Sequence, residues 1–249
     1  MAPFSIPAMP HTLLISDLHL CEQQPHITRL FLRFTQDIAP QAEALYVLGD
    51  LFEYWAGDDD LDTPFHRQVT QALRSLADGG TRLYIMHGNR DFLMSERLAA
   101  ACGAKLLPDP ALVELYGAPT LLSHGDALCT DDLKYQDFRR QVRDTAWQQA
   151  FLARPLDERK AQIEQLRAQS ENEKQRKAED IMDVNGEAVA ALLREHGYPR
   201  LIHGHTHRRG LNRHQLDGRA CERWVLGDWN QTGNALRCDG TGCTWLEIT

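Results

Sequence analysis

The feature of this sequence that most constrains its fold is a recurring pairing of short apolar runs with polar clusters. Five apolar runs each stop at such a cluster, and the clusters are Ser16-Asp17-Leu18-His19, Gly49-Asp50, His87-Gly88-Asn89-Arg90-Asp91, Ser123-His124-Gly125-Asp126 and His203-Gly204-His205-Thr206-His207. Short apolar runs bounded in this way are typical of buried strands. Because ligands of open α/β sheets bind beyond the carboxyl ends of the strands, the pattern predicts one site built from five strand ends.

Helical periodicity separates several of these runs. Apolar residues recur at helical spacing in two segments: Ile27, Leu30, Phe31 and Phe34, and then Val69, Leu73 and Leu76. The alternation of strand and helix predicts a layered α/β domain. The length of 249 residues suits one such domain, with or without an insertion. Residues 223–249 are predicted to be short strands that close the domain.

Residues 131–185 follow a different pattern, because apolar residues recur there at helical spacing throughout and Pro155 is the single proline. Between Arg154 and Asp180, fourteen of the 27 residues are charged, seven of each sign. We predict that 131–185 is a helical insertion and that 1–130 and 186–249 form the core. Two interpretations of the insertion are open: a solvated helix pair, for which mixed charge is typical, or a cap over the strand ends that holds a ligand.

Charge and cysteine content restrict the class of protein. The formal charge of −8 disfavours a surface that follows nucleic acid, because such binding uses Lys and Arg to neutralise phosphates. No basic and apolar signal segment or membrane-spanning apolar run is visible, which favours a cytoplasmic protein. No C-x-x-C pair occurs, so we expect reduced, buried thiols at all six cysteines. These are Cys21, Cys102, Cys129, Cys221, Cys238 and Cys243.

The polar clusters together supply a candidate metal site. Its predicted ligands are Asp17, His19, Asp50, Asn89, His124, His205 and His207. Oxygen and nitrogen donors without thiolate suit divalent Mn, Fe or Zn. Two such ions about 3.5–4 Å apart form the clamp used for displacement at phosphorus. Each motif alone is weak evidence for a metal site, but it is improbable that five such motifs would all follow apolar runs by chance.

These motifs resemble the signature of the calcineurin-like metallophosphoesterase family over about residues 12–210. The resemblance implies a four-layer αββα sandwich with a helical lid insertion and a centre of two divalent ions. It also implies that Asp50 is shared between the two ions. One ion would bind Asp17, His19 and His207, and the other would bind Asn89, His124 and His205. His203 matches no ligand position, and a supporting or packing role is preferable for it.

The third motif departs from the usual pattern of the family. Most members have Asn-His-Asp there, with the histidine beside the leaving group, whereas this chain has Arg90 in the middle. An arginine does not deliver a proton near neutral pH, but its guanidinium group makes forked bonds to phosphate oxygens. A phosphate leaving group, with a second pKa near 6, needs no proton, unlike an alkoxide. The substitution therefore favours pyrophosphate cleavage over phosphomonoester hydrolysis.

A narrower resemblance covers nearly the whole chain, to the branch of the family that hydrolyses UDP-2,3-diacylglucosamine in lipid A biosynthesis. The segments that carry it are 51–60, 88–92, 124–132, 181–185 and 202–208. It implies attack by water at the α-phosphorus, release of UMP and 2,3-diacylglucosamine 1-phosphate, and two Mn²⁺ ions. It also implies peripheral contact with the cytoplasmic face of the inner membrane and gives no indication of an obligate protein partner.

The same resemblance implies roles for individual residues. Catalysis would use Asp50, Asn89, Arg90 and His205. The substrate would contact Asn89, Arg90, Asp132, Ser170, Lys174, Lys177 and His205. Two alternatives remain: a metallophosphoesterase that acts on another nucleotide diphosphate or phosphodiester, and a non-catalytic, metal-dependent scaffold at a membrane surface. The first would accept sugar nucleotides without acyl chains, and the second would release no UMP.

Overall fold

The computed structural model describes residues 9–174 and 183–249, which form two mixed β-sheets and seven α-helices. The strands are β1 (His11–Ile15), β2 (Ala44–Leu48), β3 (Arg82–Met86), β4 (Ala104–Leu107), β5 (Ala111–Leu115), β6 (Ala118–Ser123), β7 (Arg200–His203), β8 (Gly210–Leu216), β9 (Arg219–Val225), β10 (Gly233–Asp239) and β11 (Gly242–Ile248). The α-helices are α1 (Pro25–Arg33), α2 (Pro64–Asp78), α3 (Glu96–Cys102), α4 (Leu133–Arg143), α5 (Thr145–Leu152), α6 (Leu156–Lys174) and α7 (Gly186–Glu195).

Each sheet has a parallel centre and antiparallel edges. The six-stranded sheet has the order β11-β10-β1-β2-β3-β4, in which β1 to β4 are parallel to one another. The five-stranded sheet has the order β5-β6-β7-β9-β8, in which β6, β7 and β9 are parallel. The carboxyl ends of β1, β2 and β3 therefore lie side by side, as do those of β6 and β7.

Alternation along the strands builds the layers. In β1, Leu13 and Ile15 face the apolar core formed with α1, α2 and α3, whereas Leu14 faces the core between the two sheets. In β7, Ile202 faces the same inter-sheet core, and Leu201 faces the core formed with α7. Successive side chains of a strand point to opposite faces, so each sheet is buried on both sides. The predicted αββα sandwich is confirmed.

Three helices, α4 to α6, lie between β6 and β7 in the chain, and we refer to Leu133–Lys174 as the α4–α6 segment. Its helical spacing is interrupted, because α4 ends at Arg143 and α5 begins directly after Asp144. The carboxylate of Asp132 accepts the backbone N–H of Tyr135 at the start of α4, and that of Asp144 accepts the N–H of Trp147. These caps satisfy donors that the helix itself leaves free. No helix within the described ranges is long and apolar enough to cross a membrane.

The expectation of six free thiols is wrong at two positions. Cys238 of β10 and Cys243 of β11 are directly paired in the antiparallel register, with Cα atoms 4.2 Å apart, and they form a disulfide. The pairing follows from the tight hairpin between the two strands, which places the two Cβ atoms on the same face. The remaining cysteines are free and buried, as expected: Cys21, Cys102, Cys129 and Cys221.

Candidate metal centre

The structure brings all seven predicted metal ligands together beyond the ends of five strands. Asp17 and His19 follow β1, Asp50 follows β2, Asn89 follows β3, His124 follows β6, and His205 and His207 follow β7. The cluster therefore draws on both sheets. Its metal-binding role remains a prediction, and the geometry given below supports it.

The backbone at this edge is unusual. Eight non-glycine residues in the described part of the chain have positive φ, and five of them are predicted ligands: Asp17, His19, Asp50, His205 and His207. The left-handed conformation costs a non-glycine residue roughly 1–2 kcal/mol and persists only where the surroundings enforce it. Glycines make room for the tight approach, since a Cβ on Gly204 would collide with Ser16 and one on Gly88 with Asp50. The concentration of strain marks this edge as the functional one.

One group of ligands consists of Asp17, His19 and His207. The Nε2 atoms of His19 and His207 lie 3.5 Å apart, and Nε2 of His207 lies 3.4 Å from Oδ1 of Asp17. One donor atom from each of these three residues falls within 4.8 Å of the others. The other carboxylate oxygen of Asp17, Oδ2, accepts the backbone N–H of His205 at 2.9 Å. The three side chains can therefore converge on one cation.

The second group consists of Asn89, His124 and His205. The Oδ1 atom of Asn89 lies 3.0 Å from Nε2 of His124 and 2.8 Å from Nδ1 of His205. The Nδ1 atom of His124 lies 2.9 Å from the carbonyl oxygen of Leu48, which holds the ring and leaves Nε2 directed into the cluster. An amide oxygen and two imidazole nitrogens thus point to a second position.

Asp50 lies between the two groups. Its Oδ2 is 3.9 Å from Nε2 of His19, and its Oδ1 is 3.9 Å from Nε2 of His124. The side chain is buried, and Oδ1 also accepts the backbone N–H of Arg90 at 2.8 Å. One carboxylate that faces both groups is the arrangement expected of a ligand shared by two ions.

The electrostatics of the cluster fit divalent cations. Oδ1 of Asp17 is buried, and Nε2 of His207 lies 3.4 Å from it. Burial opposes ionisation of Asp17, but the hydrogen bond with His207 and the charges of nearby histidines hold its pKa well below the usual value. Burial would lower the pKa of His124, yet nearby carboxylates, Asp50 first among them, raise it to about 9. An environment that favours positive charge so strongly suits metal ions.

A buried carboxylate that the sequence did not single out holds the loops of the centre together. Asp91 accepts backbone N–H groups from both the second and the third motif, and the donors are Asp50, Leu51, Phe52 and Gly88. Burial and the nearby charge of Asp50 raise the pKa of Asp91 to about 6. Asp91 was visible as the last residue of the third motif, but its backbone partners depend on the packing of β2 against β3.

Two further carboxylates support the histidines of the first group. Oε2 of Glu53 lies 3.1 Å from Nδ1 of His19, and Oδ2 of Asp228 lies 3.7 Å from Nδ1 of His207. A carboxylate at the far nitrogen orients a histidine ligand. Glu53 lies three residues after Asp50, in segment 51–60, and no role was predicted for it. Asp228 follows β9, and only the fold brings it to His207.

The start of the α4–α6 segment is bound to the second group. The carboxylate of Asp126 is buried and accepts hydrogen bonds from the Tyr135 hydroxyl at 2.7 Å and from Nε of Arg139 at 2.8 Å. The ring of Tyr135 stacks on that of His205, with centroids 5.8 Å apart. Burial opposes ionisation of Asp126, but the positive charges around it keep its pKa well below the usual value. Helix α4 is thus tied to the loops that carry His124 and His205.

His203 does not face the cluster with the other histidines. It is fully buried, its Nδ1 lies 2.9 Å from the carbonyl oxygen of Gly204, and Arg223 donates to its Nε2 at 3.1 Å. Because Nε2 is the acceptor, we assign the proton to Nδ1. These contacts place His203 behind the loop that carries His205 and His207.

A cavity of about 750 Å³ opens from the cluster into the α4–α6 segment. The segment contributes most of its apolar lining, namely Phe138, Val142, Trp147, Phe151, Ile163 and Leu166, and the loop after β3 adds Phe92 and Leu93. Trp147 stacks on Phe151 with ring centroids 4.9 Å apart. At the other end the same cavity is lined by His19, Asp50, Asn89 and His205. One chamber therefore joins a charged end to an aromatic end.

The predicted substrate residues fall into two sets. Arg90 and Asp132 line the cavity together with Asn89 and His205. Ser170 and Lys174 belong to the C-terminal part of α6, and Lys177 lies outside the described residues. The contacts of the last three with a ligand remain predictions.

The fold and site define a class of protein. The two-sheet αββα sandwich carries seven residues with oxygen or nitrogen donors beyond its strand ends, and the family model for calcineurin-like phosphoesterases matches residues 10–209. The chain belongs to the calcineurin-like phosphoesterase family.

Several relatives are similar over almost their whole length. A protein of Aromatoleum aromaticum named UDP-2,3-diacylglucosamine hydrolase is 60% identical, over 92% of this chain and 94% of the relative. Proteins of the same name from Edwardsiella ictaluri and Azotobacter vinelandii are each 50% identical, over 95% and 93% of this chain and 92% and 95% of the relatives.

Proposed function

We propose that this chain hydrolyses the pyrophosphate of UDP-2,3-diacylglucosamine by attack of water at the α-phosphorus. The products are UMP and 2,3-diacylglucosamine 1-phosphate, an intermediate of lipid A biosynthesis. The observation that carries the proposal is the single cavity that joins the predicted metal ligands to an aromatic chamber. A nucleotide-linked sugar with acyl chains needs both ends, and the names of the relatives agree.

Mixed carboxylate, amide and imidazole donors without thiolate suit two divalent cations such as Mn, Fe or Zn. Among these we propose Mn²⁺, the ion that the family resemblance implies. When bound, the ions lower the pKa of water and neutralise charge on the phosphoryl group. Asp17, His19 and His207 would hold one ion, Asn89, His124 and His205 the other, and Asp50 both.

Arg90 is the residue that favours hydrolysis of a phosphoanhydride over hydrolysis of a phosphate ester. Its backbone N–H holds Oδ1 of Asp50, and its side chain lines the cavity beside Asn89. The forked guanidinium group binds phosphoryl oxygens and stabilises the charge that develops on them. It supplies no proton, and a sugar phosphate leaves as an anion without one.

We further propose that the α4–α6 segment is the lid of a 131–185 insertion that encloses the acyl chains, with Asp132 near the glucosamine. Leu133 and Leu152 on this segment are 73% and 40% exposed, and their neighbours Lys134 and Phe151 line the cavity. Exposed leucines at the mouth of a lipid-binding cavity favour peripheral contact with a membrane, which would be the cytoplasmic face of the inner membrane.

The decisive experiment measures UMP release from UDP-2,3-diacylglucosamine with Mn²⁺, with chelator, and with Mn²⁺ restored. UDP-N-acetylglucosamine, which has no long acyl chains, is the matched control substrate. We expect rapid Mn²⁺-dependent release from the acylated substrate only. Equal turnover of both would favour a hydrolase of other nucleotide diphosphates, and lipid binding without UMP release would favour a scaffold.

A further inference from the structure

Glu53 lies between the metal cluster and helix α6 and uses its two carboxylate oxygens for different partners. Its side chain is 14% exposed. Oε2 lies 3.1 Å from Nδ1 of His19, whereas Oε1 pairs with the guanidinium group of Arg167 and lies 3.7 Å from Nη1 of Arg90. A single carboxylate thus contacts a predicted metal ligand on one side and two arginines on the other.

The contact with His19 determines which nitrogen of the ring faces the cluster. Nε2 of His19 points to the cluster, 3.5 Å from Nε2 of His207 and 3.9 Å from Oδ2 of Asp50. A carboxylate at Nδ1 favours the tautomer with its proton there, so the lone pair of Nε2 is free for a cation. Without this carboxylate, the ring loses the group that selects its orientation.

The contact with Arg167 belongs to a series that docks α6. Near the start of the helix, Arg159 pairs with Asp59, and Nζ of Lys160 lies 2.5 Å from Oδ1 of Asp60. Arg167 follows about two turns later and pairs with Glu53, with its guanidinium 5.8 Å from the ring centroid of Tyr54. Of these three carboxylates, Glu53 alone also contacts a predicted metal ligand. Arg167 and Leu166 line the cavity, so the docking shapes the chamber.

We propose that Glu53 is a positioning residue that orients His19 for metal binding and at the same time docks α6 against the cavity. The proposal rests on the metal-binding role in the proposed function. It follows that removing the Glu53 carboxylate disturbs both the metal centre and the helix, whereas removing the Asp59 carboxylate, which pairs with Arg159, disturbs the helix alone.

The test compares three variants of the full chain: Glu53→Gln, Arg167→Met and Asp59→Asn. Calorimetric titration with Mn²⁺ measures affinity, and hydrogen exchange of residues 156–168 measures docking of α6. For Glu53→Gln we expect one of two Mn²⁺ equivalents to bind about 10–100-fold more weakly and exchange to become faster. For Arg167→Met and for the matched control Asp59→Asn we expect faster exchange with both equivalents at wild-type affinity.

Glu53→Gln with wild-type Mn²⁺ affinity, or with wild-type exchange of α6, would overturn the proposal. Glu53→Asp is the second variant, because it keeps the charge, and its shorter side chain reaches one partner at a time. We expect Glu53→Asp to show weaker binding of one Mn²⁺ equivalent, faster exchange of α6, or both. Wild-type behaviour in both measurements would contradict the dual role. Neither measurement uses a substrate, so an error in the proposed substrate leaves the test intact.

Discussion

The two walls of the cavity are built in different ways. We call the wall that carries the seven predicted metal ligands the strand-end wall. Five of these ligands have left-handed backbone. Asp17 and Asp50 are fully or almost fully buried, and each accepts a main-chain N–H group. The opposite wall, formed by the α4–α6 segment, is the helical wall. Aromatic side chains such as Trp147 line the cavity there, and ion pairs attach α6 to the loop after β2. The first wall is fixed by backbone geometry, and the second by side chains at its edges.

This difference separates chemistry from specificity. Ligands on strained, hydrogen-bonded backbone keep a fixed geometry, which a metal centre requires. An apolar wall held by a few side-chain contacts can be altered without disturbing that geometry. Substitutions on the strand-end wall should therefore affect turnover and metal content, and those on the helical wall should affect the use of acylated substrate.

The largest effect is expected for Asp50→Ala, which removes the carboxylate that faces both groups of ligands. Loss of one transition-state hydrogen-bond donor lowers the rate of an enzyme by up to about 10³-fold, and we expect activity to fall by more than that here. Metal analysis of the purified variant should show loss at both positions. Turnover near the wild-type level would refute the assignment of Asp50 as a shared ligand.

Next in size is Arg90→Ala. Because the backbone N–H that holds Asp50 remains, both metals should stay bound while kcat falls about 10²–10³-fold. Arg90→Lys is the matched control, since it keeps the charge but not the fork, and we expect it to restore only part of the rate. Loss of metal from Arg90→Ala would show that the Arg90 side chain supports the metal ligands and would contradict its assignment to the phosphoryl group.

A smaller effect is expected on the helical wall for Trp147→Ala. The ring stacks on Phe151 and lines the chamber, so its loss should raise KM for the diacylated substrate by about tenfold. The Mn²⁺ dependence should be unchanged. Steady-state kinetics at several Mn²⁺ concentrations check both points, and a change in kcat alone would contradict the role in binding.

The smallest effect is expected for Leu133→Ser, on the outer side of the same wall. Leu133 is 73% exposed, so the free energy of unfolding should change by no more than about 0.5 kcal/mol. Sedimentation with vesicles of bacterial phospholipid should show weaker binding, because the proposed membrane contact loses an exposed leucine. Wild-type vesicle binding would exclude this surface as the membrane contact.

Much of the strand-end wall could be predicted from the sequence. Apolar runs that end in Asp, His or Asn located the five strands, and parallel strands bring their ends to one edge. Strand direction alone places the ends of β1, β2 and β3 together and those of β6 and β7 together, whereas the meeting of the two groups depends on how the two sheets pack. The division at Asp144 was missed, since helical spacing of apolar residues does not show where one helix stops and another begins.

The residues that support the ligands could not be predicted, because their partners are distant in the chain. Arg167 pairs with Glu53 although 114 positions separate them in the sequence. Asp228 lies near His207 because β7 and β9, which these residues follow, are neighbours in the sheet. The Cys238–Cys243 disulfide depends on the register of β10 and β11, which a hairpin of unknown turn length does not define.

The origin of the ligands in both sheets has a mechanical consequence. Asp17, Asp50 and Asn89 extend from the six-stranded sheet, and His124 and His205 from the five-stranded one. A cation held by ligands from both sheets, as proposed, would cross-link the two layers. Such a cross-link would hold the two layers in one relative position at the edge that carries the predicted ligands.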